Sequence, residues 1–325
     1  MMEGNMIAIN VEFAEYDLYY DGMEKAVKRA KECGVTHVHW VYDWEDEYMY
    51  SKHEMEYIKV LLDKYALKAK SLHATEGGVR GTFVNGKKFF DNRNRLKRIR
   101  KDYTSKNEYM RKAGVELVVN RLELAKLIGA EDIVLHMQYP YELLEDNKLE
   151  KDAYWEQVFK SFDELEKWCI SNGMKIAVEN MICTPKEYQF EQFDKLFARY
   201  SFDFLGFTFD SGHGALMCED TIEFAKRYQD RLIAVHLHDN QGPDLSKSDD
   251  PDTAILASDS HAIPFTGVMD WEGLTEVIAK SPYELPLNLE LVMSGEVTEE
   301  KQRDFIKSAV EAGNKLTKMV LEKRK

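Results

Sequence analysis

Short apolar segments alternate with longer amphipathic segments along most of the chain. The apolar segments have the length of buried parallel strands, and the amphipathic segments repeat their apolar residues at helical spacing. Strands are predicted over 6–10, 37–42, 67–74, 132–136, 175–180, 205–209, 232–235 and 285–292. Each is followed by a predicted helix, over 22–33, 51–65, 108–128, 153–170, 190–200, 221–230, 271–280 and 298–321. Eight strand–helix units indicate an α/β protein built as a (β/α)8 barrel.

A doubly wound open sheet is the alternative to this TIM barrel. Such a sheet usually has fewer strands and a glycine-rich first turn, and no G-x-G-x-x-G motif occurs here. No composition shift, low-complexity tract or linker divides the chain, so we expect residues 1–325 to form a single domain. The intervals after strands three and seven are longer than the others, which predicts long loops over the barrel mouth.

The long loop after the third strand belongs to the most basic part of the chain. Residues 80–112 contain twelve Lys or Arg and three acidic residues, a net +9, whereas the whole chain carries −14 and the remainder therefore −23. This insert is either a solvated face or a source of arginines that hold a phosphate or carboxylate of a substrate. The acidic balance of the whole chain disfavours duplex DNA as a partner.

Composition places few further limits on the protein. No apolar run approaches the roughly 20 residues of a membrane span, and no signal-peptide pattern opens the sequence, so we expect a cytoplasmic protein without a membrane partner. Four scattered cysteines without a C-x-x-C pair predict reduced, buried thiols. The helices show no coiled-coil pattern, so the sequence does not specify the oligomeric state.

Many of the predicted strands end in a side chain that can bind metal. These residues are His73, His136, Glu179, Asp210, His236 and Glu290, with His213 just after the sixth strand and Asp259 and His261 in the seventh loop. The ends of barrel strands form one ring, so the residues should converge on the barrel axis. One strand-end histidine alone would be more typical of a hydrogen-bonded core residue. Buried carboxylates gathered in one ring would repel each other without a cation, so the set predicts a metal centre.

The side chains narrow the choice of metal. Three carboxylates and one imidazole, from Glu179, Asp210, His236 and Glu290, suit Mn²⁺, Mg²⁺, Co²⁺ or Zn²⁺ with open coordination positions. The other candidates make the set richer in nitrogen, which favours Zn²⁺ and provides for one to three ions. We expect His238 and Asp239 to orient His236 and the seventh loop.

Several motifs together resemble those of a known superfamily. They are Val178-Glu179-Asn180, Phe209-Asp210-Ser211-Gly212-His213, Val235-His236-Leu237-His238-Asp239-Asn240, His261-Ala262-Ile263-Pro264-Phe265-Thr266-Gly267 followed by Asp270-Trp271, and Leu289-Glu290. Their order is similar to that of the xylose isomerase-like superfamily of sugar phosphate isomerases and epimerases, which also includes endonuclease IV. The resemblance spans nearly the whole barrel and implies a divalent metal on the four residues named above. The basic insert is larger than compact epimerases need, and Phe265-Thr266-Gly267 replaces a frequent Gly-x-Gly turn.

The two branches of the superfamily imply different roles for the same residues. The ketose 3-epimerase branch implies that Glu179 and Glu290 are also the acid/base pair and that His213 contacts the substrate. We expect His136 to contact the substrate as well. In the endonuclease branch, all nine candidate residues have counterparts that hold three zinc ions.

Proton transfer beside a carbonyl is the chemistry that the candidate residues favour. A metal bridging a sugar's carbonyl and hydroxyl oxygens acidifies the C–H between them, and two glutamates can exchange that proton through an enediolate. We therefore expect a divalent-metal-dependent isomerase or epimerase of a small sugar or sugar phosphate. The alternative is an endonuclease IV-like zinc phosphodiesterase acting on abasic DNA. A non-catalytic binding barrel is disfavoured because both glutamates are present.

Overall fold

The computed structural model describes residues 6–11, 20–42, 47–75, 82–84, 87–89, 100–137 and 139–325. Eight parallel strands in this part of the chain form one sheet that curves into a barrel. In chain order they are β1 (Ile7–Asn10), β2 (His37–Trp40), β3 (Lys68–Ala74), β4 (Asp132–Leu135), β5 (Lys175–Glu179), β6 (Leu205–Asp210), β7 (Leu232–His236) and β8 (Leu287–Leu289). Nearly all of their residues are buried, as expected of strands covered on both faces.

The order of the strands closes the sheet almost completely. Each strand pairs in parallel with the next one in the chain from β1 to β7, and β8 pairs with β1. Leu237, directly after β7, joins the remaining seam. Its N–H donates to the Asn288 carbonyl at 3.0 Å, and its own carbonyl accepts the N–H of Glu290 at 3.3 Å. The predicted (β/α)8 TIM barrel is confirmed.

Helices surround the barrel. The main ones are α1 (Tyr20–Glu32), α2 (Lys52–Lys64), α3 (Glu108–Ile128), α5 (Lys148–Asn172), α6 (Lys186–Arg199), α8 (Glu223–Arg227), α10 (Trp271–Lys280) and α11 (Glu299–Lys323), with shorter helices α4 (Tyr141–Leu144), α7 (Ser211–Met217) and α9 (Pro251–Leu256). The bounds predicted for α3 are confirmed, because Asn107 caps its first turn and Gly129 ends it at φ 86°. The helix predicted over 221–230 is shorter, and a 3₁₀ turn at Gln229–Arg231 completes it.

Four strands end earlier than the sequence pattern predicts, and in β4 and β5 the difference is one residue. β2 ends at Trp40, two residues before the predicted end. β8 ends at Leu289, because the residues after it find partners outside the strand ladder. The backbone N–H of Leu291 donates to Asn10 Oδ1 at 2.8 Å, and its carbonyl accepts from Asn10 Nδ2 at 2.9 Å. Side-chain pairing therefore replaces strand pairing beside the barrel mouth.

Part of the basic insert, residues 80–81, 85–86 and 90–99, lies outside the described residues. Its described part includes two short strands, Thr82–Val84 and Lys87–Phe89, which pair in antiparallel orientation. Arg111, near its end, is buried and donates to Glu108 and to Glu164 on α5. This arginine therefore fixes one helix to the next. Most of the arginines that the sequence analysis considered as substrate ligands lie outside the described residues, so that hypothesis stays a prediction.

The core lies between the strands and the helices. Phe193 on α6 packs against Phe207 on β6 and Phe224 on α8, and each of these fully buried rings contributes about 1.5–3 kcal/mol of hydrophobic stabilisation. Inside the barrel, small residues such as Ala177 and Ala234 pack below the site. The four cysteines form no disulfide among the described residues. No helix in that part of the chain is both long and apolar enough to cross a bilayer.

Candidate functional site

The nine predicted site residues converge at the carboxyl ends of the strands. Within the described residues they form three adjoining groups, and in each group the candidate ligand atoms lie within 4.8 Å of one another. The central group is Glu179, Asp210, His236 and Glu290; the β3/β4 group is His73, His136 and Glu179; and the loop-7 group is His213, Asp259 and His261. The structure thus places all nine together, and their roles as ligands remain predictions.

The central group gathers three carboxylates around one imidazole nitrogen. His236 Nδ1 lies 3.1 Å from Glu179 Oε1 and 3.1 Å from Glu290 Oε2, and 3.9 Å from Asp210 Oδ2. An imidazole nitrogen carries at most one proton, so it cannot neutralise three buried carboxylates. A divalent cation between these oxygens would offset two of the three negative charges, and the donor set suits such an ion.

Glu179 connects the central group to the β3/β4 group. Its Oε1 faces His236, whereas its Oε2 lies 3.1 Å from His136 Nε2 and 3.9 Å from His73 Nε2. The two imidazole nitrogens are themselves 3.2 Å apart. One carboxylate therefore serves two groups, an arrangement typical of a bridging metal ligand.

The loop-7 group forms where the seventh loop returns to the barrel mouth. Asp259 Oδ2 lies 3.1 Å from His261 Nε2 and 3.5 Å from His213 Nε2. His213 Nδ1 is held 2.8 Å from the carbonyl of Asn180, which leaves Nε2 directed at Asp259. The loop and the strand ends thus contribute one ligand set.

Asn180 aligns β5 with β6 next to the central group. Its side chain donates to the Asp210 carbonyl and accepts the Asp210 N–H, both at 2.9 Å. The Asp210 carboxylate then caps α7 by accepting the N–H of His213 at 2.7 Å. Asp210 and His213 are therefore fixed relative to each other by the start of one helix.

His238 differs from the sequence expectation. It was expected to orient His236, but its Nε2 lies 3.0 Å from both oxygens of Asp210, and its ring stacks on His261 at 3.9 Å between centroids. Gly212 leaves room for this ring, since a Cβ there would lie 1.9 Å from His238 Cε1. His238 thus orients Asp210 and supports the loop-7 group.

Burial and neighbouring charges shift the pKa values of the ionisable side chains at the site. Burial raises the pKa of Glu179. Burial also opposes the ionisation of Asp210, but attraction to His213 and His238 outweighs it and lowers the pKa of that carboxyl. Despite their burial, the neighbouring carboxylates raise the pKa of His213 to about 10 and that of His261 to about 9. A metal ion binding these imidazoles must displace their protons, so binding at the loop-7 group is favoured as pH rises.

Asp239 anchors the seventh loop, as the sequence analysis expected. Its Oδ2 accepts the indole N–H of Trp271 at 3.0 Å, and its Oδ1 accepts the N–H of Met269 at 3.2 Å. Its backbone also pairs with Ala262 in an antiparallel bridge. Gly267 packs against this anchor so closely that a side chain there has no space.

A Gly267→Ala variant is expected to lose metal from the loop-7 group and retain it in the central group. The added Cβ would lie 1.9 Å from the carbonyl oxygen of Asn240 and 2.4 Å from Asp239 Oδ1, so the loop that carries the ligands must move. Elemental analysis of bound ions measures the effect. Gly295→Ala is the control for a methyl group added in open space, because a Cβ there would meet no atom within 4 Å; its φ of 88° adds only local backbone strain. An unchanged ion count in Gly267→Ala would contradict the role of this anchor.

His39 is a site residue that the sequence analysis missed. It is fully buried on β2, and its ring lies 4.6 Å from that of His236 between centroids. It also forms a group with His236 and Glu290 in which ligand atoms lie within 4.8 Å of one another. The predicted strand extended past it to residue 42, which hid its position near the strand end. A shorter β2, ending at Trp40, would have revealed it.

Comparison with known proteins shows which family and which relatives the chain matches. A model of the xylose isomerase-like TIM barrel family matches residues 27–311. The uncharacterized protein y4fM of Sinorhizobium fredii is 33% identical over 285 residues, which cover 87% of this chain and 85% of that protein. The inosose dehydratase of Clostridium botulinum is 26% identical over 133 residues, covering 40% of this chain and 44% of that protein.

A solved structure supports the fold. The structure of a D-tagatose 3-epimerase-like protein matches with a TM-score of 0.65 and 21% identity, over 98% of this chain and 99% of that chain. The region matched by the family model contains every predicted site residue, from His73 to Glu290. The chain belongs to the family of xylose isomerase-like TIM barrels.

Proposed function

We propose that this protein is a divalent-metal-dependent isomerase or epimerase of a sugar or sugar phosphate. The observation that carries the proposal is the placement of two glutamates around one imidazole. Glu179 and Glu290 each lie 3.1 Å from His236 Nδ1, one at the end of β5 and the other directly after β8. Two carboxylates that approach one position from separate strands can remove a proton and return it.

The central group would hold the metal ion. When bound, the ion would polarise a sugar carbonyl and stabilise negative charge that develops beside it. Glu290 is 14% exposed, whereas the side chain of Glu179 is fully buried. Glu290 therefore can reach a substrate from the mouth and remove the proton, and Glu179 would return one from below. His136 and His213, each 7% exposed, would contact the substrate oxygens.

The related proteins support action on a carbohydrate. One relative is an inosose dehydratase, and the solved structure is of a D-tagatose 3-epimerase-like protein. Inosose and D-tagatose, the compounds in these names, are both polyhydroxylated carbonyl compounds. Dehydration, epimerisation and isomerisation can all begin with removal of a proton beside a carbonyl, so the proposed glutamate pair fits this shared first step.

A three-ion phosphodiesterase is the second candidate. It is favoured by the three adjoining ligand groups, of which Glu179 bridges two. The formal charge of −14 opposes binding to nucleic acid, because that binding depends on neutralising phosphates. An isomerase or epimerase of a small sugar is compatible with both the ligand set and the acidic net charge.

Solvent deuterium exchange tests the proposed reaction. The protein is loaded separately with Mn²⁺, Co²⁺, Mg²⁺ or Zn²⁺ and incubated in D₂O with ketoses and ketose phosphates. We expect deuterium to enter the carbon beside the carbonyl, as observed by NMR, and chelator-treated protein to show no exchange. Cleavage of an abasic-site duplex without exchange into any ketose would instead support the phosphodiesterase and contradict the proposal.

A further inference from the structure

We propose that His39 is a further metal ligand, which together with Glu290 holds a divalent ion beside the central group. This residue is outside the nine-residue set that the sequence and the family resemblance predict. The site would take a first-row divalent ion such as Zn²⁺, Co²⁺ or Mn²⁺, which imidazole and carboxylate ligands suit. The inference rests on the metal binding of the proposed function.

The orientation of His39 matches that of the predicted ligand histidines. In His73, His213 and His261, Nδ1 lies 3.0, 2.8 and 3.2 Å from a backbone carbonyl, and Nε2 is directed at a carboxylate. In His39, Nδ1 lies 2.6 Å from Ser71 Oγ, and Nε2 is directed at Glu290 Oε1. Fixing one ring nitrogen so that the other faces the ion is the usual arrangement of a metal-binding histidine.

The distance between His39 and Glu290 suits two ligands of one ion. His39 Nε2 lies 3.9 Å from Glu290 Oε1, which is too long for a hydrogen bond. Bonds of about 2.0–2.2 Å from each atom to a shared ion span a gap of this size. The distance equals that between His73 Nε2 and Glu179 Oε2 in the β3/β4 group.

His39 Nε2 also lacks a hydrogen-bonding partner. The side chain is fully buried, and this nitrogen makes no hydrogen bond to any described residue. A buried polar atom without a partner costs about 1–3 kcal/mol of stability, and a bound ion would remove that cost. An ion shared with Glu290 would satisfy both groups at once.

The inference gives the two glutamates matching roles. Glu179 divides its oxygens between the central group and the β3/β4 group. Glu290 likewise directs Oε2 at His236 and Oε1 at His39. An ion at His39 would therefore lie against the glutamate that we propose removes the proton, with most of its coordination positions open to water or to substrate oxygens.

Counting bound ions in variants tests the inference. The protein, its His39→Leu variant and a His37→Leu control are equilibrated with Co²⁺ or Zn²⁺, and bound metal is measured by elemental analysis and calorimetric titration. His37 lies two residues earlier on β2, beside Thr36, and belongs to none of the metal groups in the described chain. We expect His39→Leu to bind one ion fewer per chain and His37→Leu to bind the same number as the unaltered protein.

A second variant covers the case in which His39→Leu does not fold. Ser71→Ala removes only the group that fixes the His39 ring, and is expected to weaken the last ion's affinity by about 10- to 100-fold without affecting the others. Equal ion counts and affinities in all folded variants would overturn the inference and leave the proposed function intact. Absence of any bound ion in the unaltered protein would contradict both.

Discussion

A Glu290→Gln variant is expected to lower turnover of the ketose substrate by about 10²–10⁴-fold, which is the contribution of a positioned acid–base group. The amide keeps the size of the side chain and one oxygen that can face His236, but it cannot accept the substrate proton. Deuterium exchange into the substrate should fall by the same factor, because the lost step is proton removal itself. Both are measured by NMR under saturating metal and substrate.

The matched control for this variant lies on the same segment of the chain. Glu284→Gln makes the same chemical change at an exposed position before β8 and should leave turnover unchanged. Metal content must be determined for both variants, so that loss of the ion is distinguished from loss of the base. A Glu290→Gln protein with full metal content and undiminished exchange would rule out Glu290 as the base.

A Glu179→Gln variant is expected to lose metal from the central group and the β3/β4 group at once. The carboxylate supplies Oε1 to the central group and Oε2 to the β3/β4 group, so both groups lose a negative ligand together. We expect two ions fewer per chain when all groups are filled. Turnover should fall by about 10⁴-fold, the upper end of an acid–base contribution, because the proposed proton donor disappears as well.

Asp259→Asn provides the comparison for that loss. Asp259 belongs to the loop-7 group alone among the three predicted groups, so its variant should lose one ion and keep the central one. Elemental analysis of both proteins after equilibration with the same metal decides the point. If the two variants lost the same number of ions, Glu179 would not bridge two groups.

The sequence predicted the barrel and the residues that meet at its mouth for one physical reason. Buried parallel strands are apolar, so a charged or ionisable side chain at a strand end stands out, as Glu179, Asp210 and His236 do. Closure of the barrel then brings such ends together whatever their separation in the chain. His73 and Glu290 are more than two hundred positions apart and still lie near one ring.

Features that depend on side-chain orientation were not predictable in this way. His39 escaped notice because the apolar pattern continues past the end of β2. The sequence analysis expects His238 to orient His236, its near neighbour in sequence, but the His238 side chain contacts Asp210 on the adjacent strand. The contacts of Asn180 with Asp210 likewise depend on the register between two strands, which the sequence pattern does not specify.

The seam at Leu237 links metal binding to the integrity of the barrel. Among the described residues, the first seven strands pair in sequence and β8 pairs with β1, whereas β7 meets β8 through the hydrogen bonds around Leu237. His236 and Glu290 lie on either side of this seam, so an ion bound by both would connect the end of β7 to the segment that follows β8. An ion that binds only the closed barrel would stabilise it by mass action. We therefore expect that loss of metal weakens the contact between β7 and β8 before it weakens the other strand pairs.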